Sequence, residues 1–178
     1  MPERRPATGV AELLELVDME WRRLLSGLER EREAEGDTGR LAGAWSARDV
    51  LSHVRLYDAW LLGMLEPAQR EEQMPYRSYL TPDAELHARN RHHVEADRSL
   101  PEEEIERRAL ETHSRLREVL ARLLDETLTT SHTVTGSGFL PSGKGRSLAE
   151  LIAIETHWHY ADHADDLDRL AADVPAPG

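Results

Sequence analysis

The chain has 178 residues, and its 22 basic and 34 acidic side chains give a net charge of −12 with the histidines neutral. A surface this acidic repels phosphate groups, which argues against nucleic acids and anionic membranes as partners. The absence of cysteine excludes disulfides, thiolate metal sites and cysteine nucleophiles. The length is typical of one domain, so we predict a single domain over residues 1–178 with a core at about 8–172.

No segment has the pattern of a leader peptide or of a membrane span. Acidic residues interrupt the first apolar stretch at Glu12, Glu15 and Asp18, whereas a signal peptide needs an unbroken apolar run. No later stretch has enough consecutive apolar residues to cross a bilayer. We therefore expect a soluble, cytoplasmic protein. Lys144 is the only lysine and every other basic residue is arginine, which is typical of a GC-rich bacterial genome.

Apolar residues recur at helical spacing along most of the chain. The first predicted helix extends from Thr8 to about Arg30. The second begins at Ser46, where Asp49 complements the amide groups of the first turn, and it ends before Pro67.

Two more helices are predicted in the middle of the chain. The sequence Thr81-Pro82-Asp83 is typical of a helix start, and this weakly amphipathic helix is expected to pack outside the core as far as about Arg98. Ser99, with Glu102 three residues later, predicts the start of the next helix. Its core face is assigned to Ile105, Leu116, Leu120, Leu123 and Leu124.

The last predicted helix begins at a capping-box pattern formed by Ser147 and Glu150, and it runs to about Ala172. The preceding segment, 127–146, is rich in Thr, Ser and Gly and is the least helical part of the chain. We therefore predict an all-α fold, a four-helix bundle with one accessory helix.

Three histidines fall on the apolar faces of two of these helices. His159 and His163 are four residues apart, so their imidazoles lie on one helix face, close enough to bind the same cation. His53 lies on the core stripe of the second helix, and antiparallel packing of the two helices would bring it to the same depth. Three imidazole ligands leave coordination positions open, as in catalytic sites. The alternative is that these are hydrogen-bonded core histidines.

Several neighbouring residues are candidates for supporting roles. Glu155, one predicted turn before His159, could be a fourth ligand, a general base, a carboxylate that orients an imidazole, or a partly exposed acid at the bundle mouth. Asp49 is first a helix-terminus residue and second a neighbour of the site. Tyr57 and Trp60 are expected either to line a cavity or to pack in the core.

The other histidines have no partner at a useful spacing. His157 falls off the stripe of the pair and is expected to face outward. The rest are assigned to the surface or to packing: His87, His92, His93, His113 and His132.

Two segments carry a family resemblance, Trp45-Ser-Ala-Arg-Asp-Val-Leu-Ser-His53 and Thr156-His-Trp-His-Tyr-Ala-Asp-His163. They resemble the DinB/YfiT-like metal-binding four-helix bundles, and the accessory helix and Thr/Gly-rich connection resemble the DfsB-type branch. That family has one histidine early in the second helix and a histidine pair in the last. The resemblance therefore implies a divalent metal site at His53, His159 and His163.

The resemblance also implies a homodimer and activities such as thiol-dependent transfer, isomerisation or hydrolysis. We predict a divalent-metal-dependent enzyme for a small-molecule substrate, with a low-molecular-weight thiol as a second cofactor. Zinc and nickel suit three imidazoles, and iron is a further candidate. Two alternatives stay open, a non-catalytic bundle that sequesters a metal or small molecule, and a dimeric scaffold whose histidines only fill the core.

Overall fold

The computed structural model describes residues 4–35, 45–66, 83–135 and 138–173. The predicted helix start at Thr81-Pro82 lies outside these residues, as do the connections at 36–44 and 67–82. Within the described residues the elements follow in this order: α1 (Val10–Glu35), α2 (Ala47–Leu65), α3 (Asp83–Asp97), α4 (Glu102–Leu120), α5 (Asp125–Thr129), β1 (Ser131–Thr135), β2 (Gly138–Pro141), β3 (Arg146–Ser147), α6 (Leu148–Glu155) and α7 (His157–Asp173).

A four-helix bundle forms from α1, α2, α4 and the α6–α7 segment, as the apolar periodicity predicts. Their apolar faces share one core, in which the fully buried side chains include Leu13, Leu24, Leu61, Leu116 and Ile152. Full burial of such a side chain contributes about 1.5–3 kcal/mol. This burial is the main force that holds the bundle together.

The first parallel pair in the bundle is α1 with α7. Trp21 contacts the ring of Tyr160, and further along both helices Gly27 packs against Leu167. A Cβ atom on Gly27 would lie 2.8 Å from Leu167 Cδ1, so the two helices approach closely there. Because the contacts follow the same order along both helices, α1 and α7 run in the same direction.

The second parallel pair is α2 with α4. Near the start of α2, Asp49 binds Arg98, which precedes α4, and near its end Glu66 binds Arg122, which follows α4. The pair packs antiparallel to α1, because Asp18 near the start of α1 pairs with Arg117 near the end of α4. Since α2 and α4 are parallel, the chain must return along the bundle between them.

The accessory helix α3 occupies this return and packs on α2, as expected. Asn90 of α3 donates a hydrogen bond to the hydroxyl of Tyr57 at 2.9 Å. At the other end, Arg48 donates to the backbone carbonyls of Asp97, Arg98 and Leu100, which cover the last turn of α3. The start of α2 is thereby tied to the α3–α4 turn.

The predicted helix starts are partly confirmed. The Ser46–Asp49 capping box is present, with hydrogen bonds of 3.2 and 3.1 Å. Ser147 likewise accepts a hydrogen bond from the Glu150 amide at 3.1 Å. Ser99 was assigned wrongly, because its hydroxyl donates to Ala96 and so closes α3 rather than capping α4.

The end of α4 also differs from the prediction. Leu120 is fully buried and is the last residue of the helix. Leu124 follows the helix and is 60% exposed, so its assignment to the core face was wrong. The turn at residues 121–123 rotates the chain away from the apolar stripe.

The predicted single last helix is in fact two helices. Thr156 has φ −118° and ψ −108°, which ends α6 at Glu155, and α7 begins at His157. The Thr156 hydroxyl donates to the carbonyl of Ile152 at 2.8 Å, while its own carbonyl accepts from the amide of Tyr160 at 2.8 Å. Neither proline nor glycine marks this break, so the residue pattern gave no signal of it.

The Thr/Gly-rich segment contains a small antiparallel sheet that the all-α prediction did not include. The strand order is β2-β1-β3, and His132 of the central strand pairs with Pro141 on one side and Arg146 on the other. Gly145, in the turn before β3, has φ +129°. The sheet packs against the end of α2, where Trp60 meets Phe139 edge to face.

The described part of the chain contains no helix that is both long enough and apolar enough to cross a membrane.

Candidate metal centre

Three imidazoles from two helices meet at one point in the bundle. The Nε2 atom of His159 lies 3.1 Å from Nε2 of His53 and 3.0 Å from Nε2 of His163. One nitrogen from each residue lies within 4.8 Å of the others. Two nitrogens that each bind a tetrahedral zinc ion at about 2.0–2.1 Å are about 3.4 Å apart. The spacing of the three nitrogens therefore fits a single divalent cation.

The direction of the two helices explains why these residues meet. His53 contacts His163, whereas Asp58, five residues later on α2, contacts Tyr160, three residues earlier on α7. The contacts run in opposite order, so α2 and α7 are antiparallel, as the histidine geometry required. Because α7 begins at His157, both of its histidines lie in the first two turns of a helix rather than deep inside a long one.

Aromatic side chains surround the imidazoles on the α2 side. The ring of Tyr57 lies 4.6 Å from that of His53 and 4.3 Å from that of His159, measured between centroids. The ring of Trp45 lies 4.9 Å from that of His53 on the approach to α2. Tyr57 therefore lines the site and also holds the Asn90 hydrogen bond to α3.

The histidine cluster is shielded from solvent, and at His163 this favours the neutral form. His53 is 5% exposed, and its two partners on α7 are half-buried. Burial lowers the pKa of His163, and the nearby carboxylates of Asp166 and Asp162 oppose this only in part. A neutral imidazole keeps the nitrogen lone pair that a metal needs.

Glu155 is placed differently from the prediction. It is fully buried, so it is not a partly exposed acid at the bundle mouth. The break at Thr156 separates it from His159, so the two are not one turn apart on a continuous helix. Among the described residues, the cluster of metal-ligand atoms contains the three histidines without Glu155.

Asp49 and Trp60 have other contacts. Asp49 closes the capping box of α2 and accepts two hydrogen bonds from Arg98. Trp60 lies about two turns beyond His53, and its ring meets Phe139 of β2 with centroids 6.3 Å apart. Their described contacts thus support the helix start and the sheet.

His157 points into the protein, which corrects the expectation that it faces outward. It is 3% exposed, and its Nδ1 lies 3.3 Å from the Thr156 hydroxyl oxygen. Its Nε2 is buried without a hydrogen-bond partner among the described residues. Burial, with a smaller contribution from Arg4, lowers the pKa of His157 to about 4. The break at Thr156 changes the helix phase, which is why extrapolation along the stripe failed.

A second polar cluster beside the histidines was missed from the sequence. The hydroxyl of Tyr160 donates to Asp58 at 2.5 Å, and Nδ1 of His113 lies 3.4 Å from the other oxygen of Asp58. The His113 ring stacks on Trp21 with centroids 4.0 Å apart. Burial raises the pKa of both Asp58 and Tyr160. The available signal was an acidic residue inside the apolar run of the second helix.

Residues 14–164 match the family model described as the mycothiol maleylpyruvate isomerase N-terminal domain. The chain belongs to this family. The assignment agrees with the DinB/YfiT-like resemblance of the two histidine segments and covers nearly the whole described bundle. No curated protein sequence matches the chain significantly.

Solved structures with the same fold extend over the whole bundle. An uncharacterised protein from Escherichia coli UTI89 is 16% identical, with a TM-score of 0.70 over 94% of this chain and 95% of that one. The colibactin self-resistance protein ClbS, determined in complex with double-stranded DNA, is 15% identical, with a TM-score of 0.69 over 95% and 99%. DfsB, a sibling lethal factor precursor, is 15% identical, with a TM-score of 0.66 over 93% and 96%. At sequence identities this low, the structural similarity shows a shared fold and nothing more.

Proposed function

We propose that His53, His159 and His163 bind one divalent cation and that the protein uses it to transform a small molecule. Two reaction classes are proposed: a thiol-dependent transfer or isomerisation, or a hydrolysis. The observation that carries the proposal is the convergence of three Nε2 atoms, with neighbouring distances of 3.0 and 3.1 Å. Three neutral imidazoles suit zinc or nickel, and iron also accepts such a donor set.

A cation held by these ligands supplies Lewis-acid chemistry and lowers the pKa of a bound thiol or water. The protein's own residues supply the surroundings. Tyr57 and Trp45 cover His53 on the α2 side and limit the access of water there. Glu155 is proposed as a proton acceptor or as an orienting carboxylate, because a buried acid close to the ligand-bearing helix can serve either role.

A thiol for such a reaction must come from outside the chain, since the sequence has no cysteine. The family's name pairs the thiol mycothiol with maleylpyruvate isomerisation, which supports a low-molecular-weight thiol as the second cofactor. Mycothiol and maleylpyruvate are therefore the first pair to test. A cytoplasmic location and a homodimer belong to the same proposal, and sedimentation of the purified protein tests the dimer.

The second candidate is a non-catalytic bundle that sequesters a reactive small molecule. The similarity to ClbS favours it, because that protein confers self-resistance to colibactin. Although ClbS was crystallised with double-stranded DNA, the net charge of −12 here opposes binding to a phosphate backbone. A salt-dependent shift of labelled duplex DNA by the purified protein would contradict the exclusion of nucleic acid.

The deciding experiment is elemental analysis of the protein purified without a chelator. We expect about one zinc, nickel or iron ion per chain, lost in His53→Ala and retained in His87→Ala, an exposed histidine on α3. Metal-free protein that stays empty after reconstitution would overturn the metal site. Bound metal without turnover of thiol-transfer or hydrolase substrates would favour the sequestering alternative.

A further inference from the structure

The buried triad, defined here as Asp58, His113 and Tyr160, joins three helices of the bundle and contacts the fourth through Trp21. Asp58 comes from α2, His113 from α4 and Tyr160 from α7, while Trp21 of α1 stacks on the His113 ring. Asp58 and Tyr160 are 0% exposed, and His113 is 7% exposed. These side chains are shielded from solvent, so we expect the triad to act through the residues next to it.

A buried carboxylate is costly, and apolar residues of similar volume often stabilise a core better. The polar atoms contribute orientation rather than stability, because a directional hydrogen bond fixes two side chains in one relative orientation. In the triad, the 2.5 Å bond between Tyr160 and Asp58 fixes α7 against α2. Burial of both groups also excludes water as a competing partner.

The first turn of α7 needs such a fixed contact. Thr156 interrupts the helix between α6 and α7. The rotation of α7 about its own axis is therefore not determined by that of α6. Moreover, α7 packs mainly on α1 and α2 packs mainly on α4, so apolar packing between α2 and α7 is limited. The histidine site nevertheless spans this α2–α7 boundary.

The triad lies at the required place. Tyr160 directly follows His159, and Asp58 directly follows Tyr57, whose ring packs on His159. We propose that Tyr160 is a positioning residue, whose bond to Asp58 sets the rotation of α7 so that the His159 imidazole faces that of His53. The metal-binding consequence rests on the proposed function, whereas the alignment of the imidazoles does not.

The test compares three variants of the triad with a control. Tyr160→Phe removes only the hydroxyl, and Asp58→Ala removes its acceptor, whereas Asp58→Asn keeps an oxygen that can accept the same bond. Leu28→Ala is the control, because it truncates a buried side chain of α1 away from the triad. Leu28 follows Gly27, whose partner Leu167 lies about two turns of α7 beyond Tyr160.

We expect Tyr160→Phe and Asp58→Ala to weaken zinc binding about 10- to 100-fold in a chelator competition and to alter the absorption spectrum of the Co²⁺-substituted protein. Asp58→Asn should bind within a few fold of the original protein with an unchanged spectrum. Leu28→Ala should lower the thermal midpoint without changing affinity or spectrum, which separates positioning from general destabilisation.

A second readout needs no metal. In the metal-free protein, nuclear Overhauser contacts between the His53 and His159 rings should weaken in Tyr160→Phe and persist in Leu28→Ala. Ring contacts that are unchanged in Tyr160→Phe would overturn the inference. So would a loss of zinc affinity and a change in the Co²⁺ spectrum in Leu28→Ala as large as those in Tyr160→Phe. If the original protein binds no metal, the proposed function fails, and the ring contacts alone decide whether Tyr160 positions His159.

Discussion

Arg98 donates hydrogen bonds to both carboxylate oxygens of Asp49, at 3.0 and 2.7 Å. Burial by itself would raise the pKa of Asp49, but the bonds from Arg98 and from the Ser46 amide overcome this effect and lower it below the usual 3.8. A lowered pKa means that the ionised carboxylate stabilises the fold above the unfolded-state value. This stabilisation is lost as the pH falls through the lower, folded-state pKa.

Asp49→Asn should therefore destabilise the protein at pH 7 by about 1–2 kcal/mol, a reduced figure for a charged hydrogen bond whose partner Arg98 is half exposed. Urea unfolding at pH 7 and pH 3 measures the effect, and the difference from the original protein should shrink at pH 3. Glu118→Gln is the control, because its exposed ion pair with Arg115 should change the stability by less than about 0.5 kcal/mol. An equal Asp49→Asn deficit at both pH values would contradict the assignment.

His159 lies at the centre of the histidine cluster, because its Nε2 is within 3.1 Å of Nε2 in both other histidines, and it is therefore the central ligand of the proposed metal site. His159→Ala should abolish stoichiometric metal binding and leave the helical circular dichroism spectrum intact, since the apolar core is untouched. Mass spectrometry under native conditions reports both the metal content and the folded charge state. Full metal content in this variant would refute the three-histidine site.

Gly145 is required by the turn that leads into β3. Its φ of +129° suits glycine, and an added Cβ would lie 2.7 Å from the backbone oxygen of His132. Gly145→Ala should destabilise the protein by about 1–3 kcal/mol, seen as a melting temperature lower by about 3–10 °C in calorimetry. Gly143→Ala is the matched control, because a Cβ there meets nothing within 4 Å. Equal melting temperatures for the two variants would argue against the strain.

His157 is expected to make the fold sensitive to acid. Its pKa of about 4 lies below the usual histidine pKa of about 6.5, so between these pH values the unfolded chain binds the proton more tightly. The resulting loss of stability reaches up to about 3 kcal/mol as the pH falls from 6.5 to 4.

His157→Leu removes both the titrating group and the unsatisfied Nε2. In chelator-treated protein it should be more stable by about 1 kcal/mol at pH 7, and the gain should grow towards pH 4 in urea titrations. His157→Gln keeps a polar side chain but does not titrate. Its stability relative to the original protein should therefore increase towards pH 4 without being higher at pH 7. A gain independent of pH would show that His157 titrates normally in the folded protein.

The sequence predicts the bundle because its apolar stripes are long and because Ser46 and Asp49 carry an unambiguous capping pattern. It also brings the histidines of α2 and α7 to one depth, since side-chain direction on a helix follows from spacing. The break at Thr156 could not be predicted, because the helical pattern continues across a residue that helices tolerate. The errors at Glu155 and His157 both follow from that missed break.

The small sheet and the buried triad were missed for other reasons. Strands of five residues or fewer, such as β1, give too few alternations to establish a period. The bond between Asp58 and Tyr160 joins residues 102 positions apart, and no local spacing encodes such a pair. Such contacts emerge only when helix directions and rotations are known.

The histidine contact between α2 and α7 joins residues that are 106 positions apart in a chain without disulfides. A cation bound there would close a loop of about a hundred residues, and a covalent cross-link over that length restricts the unfolded chain by about 4–5 kcal/mol in entropy. Metal binding would then contribute directly to folding. The ion would act as a reversible cross-link between α2 and α7, and metal supply in the cell would regulate how long the protein survives proteolysis.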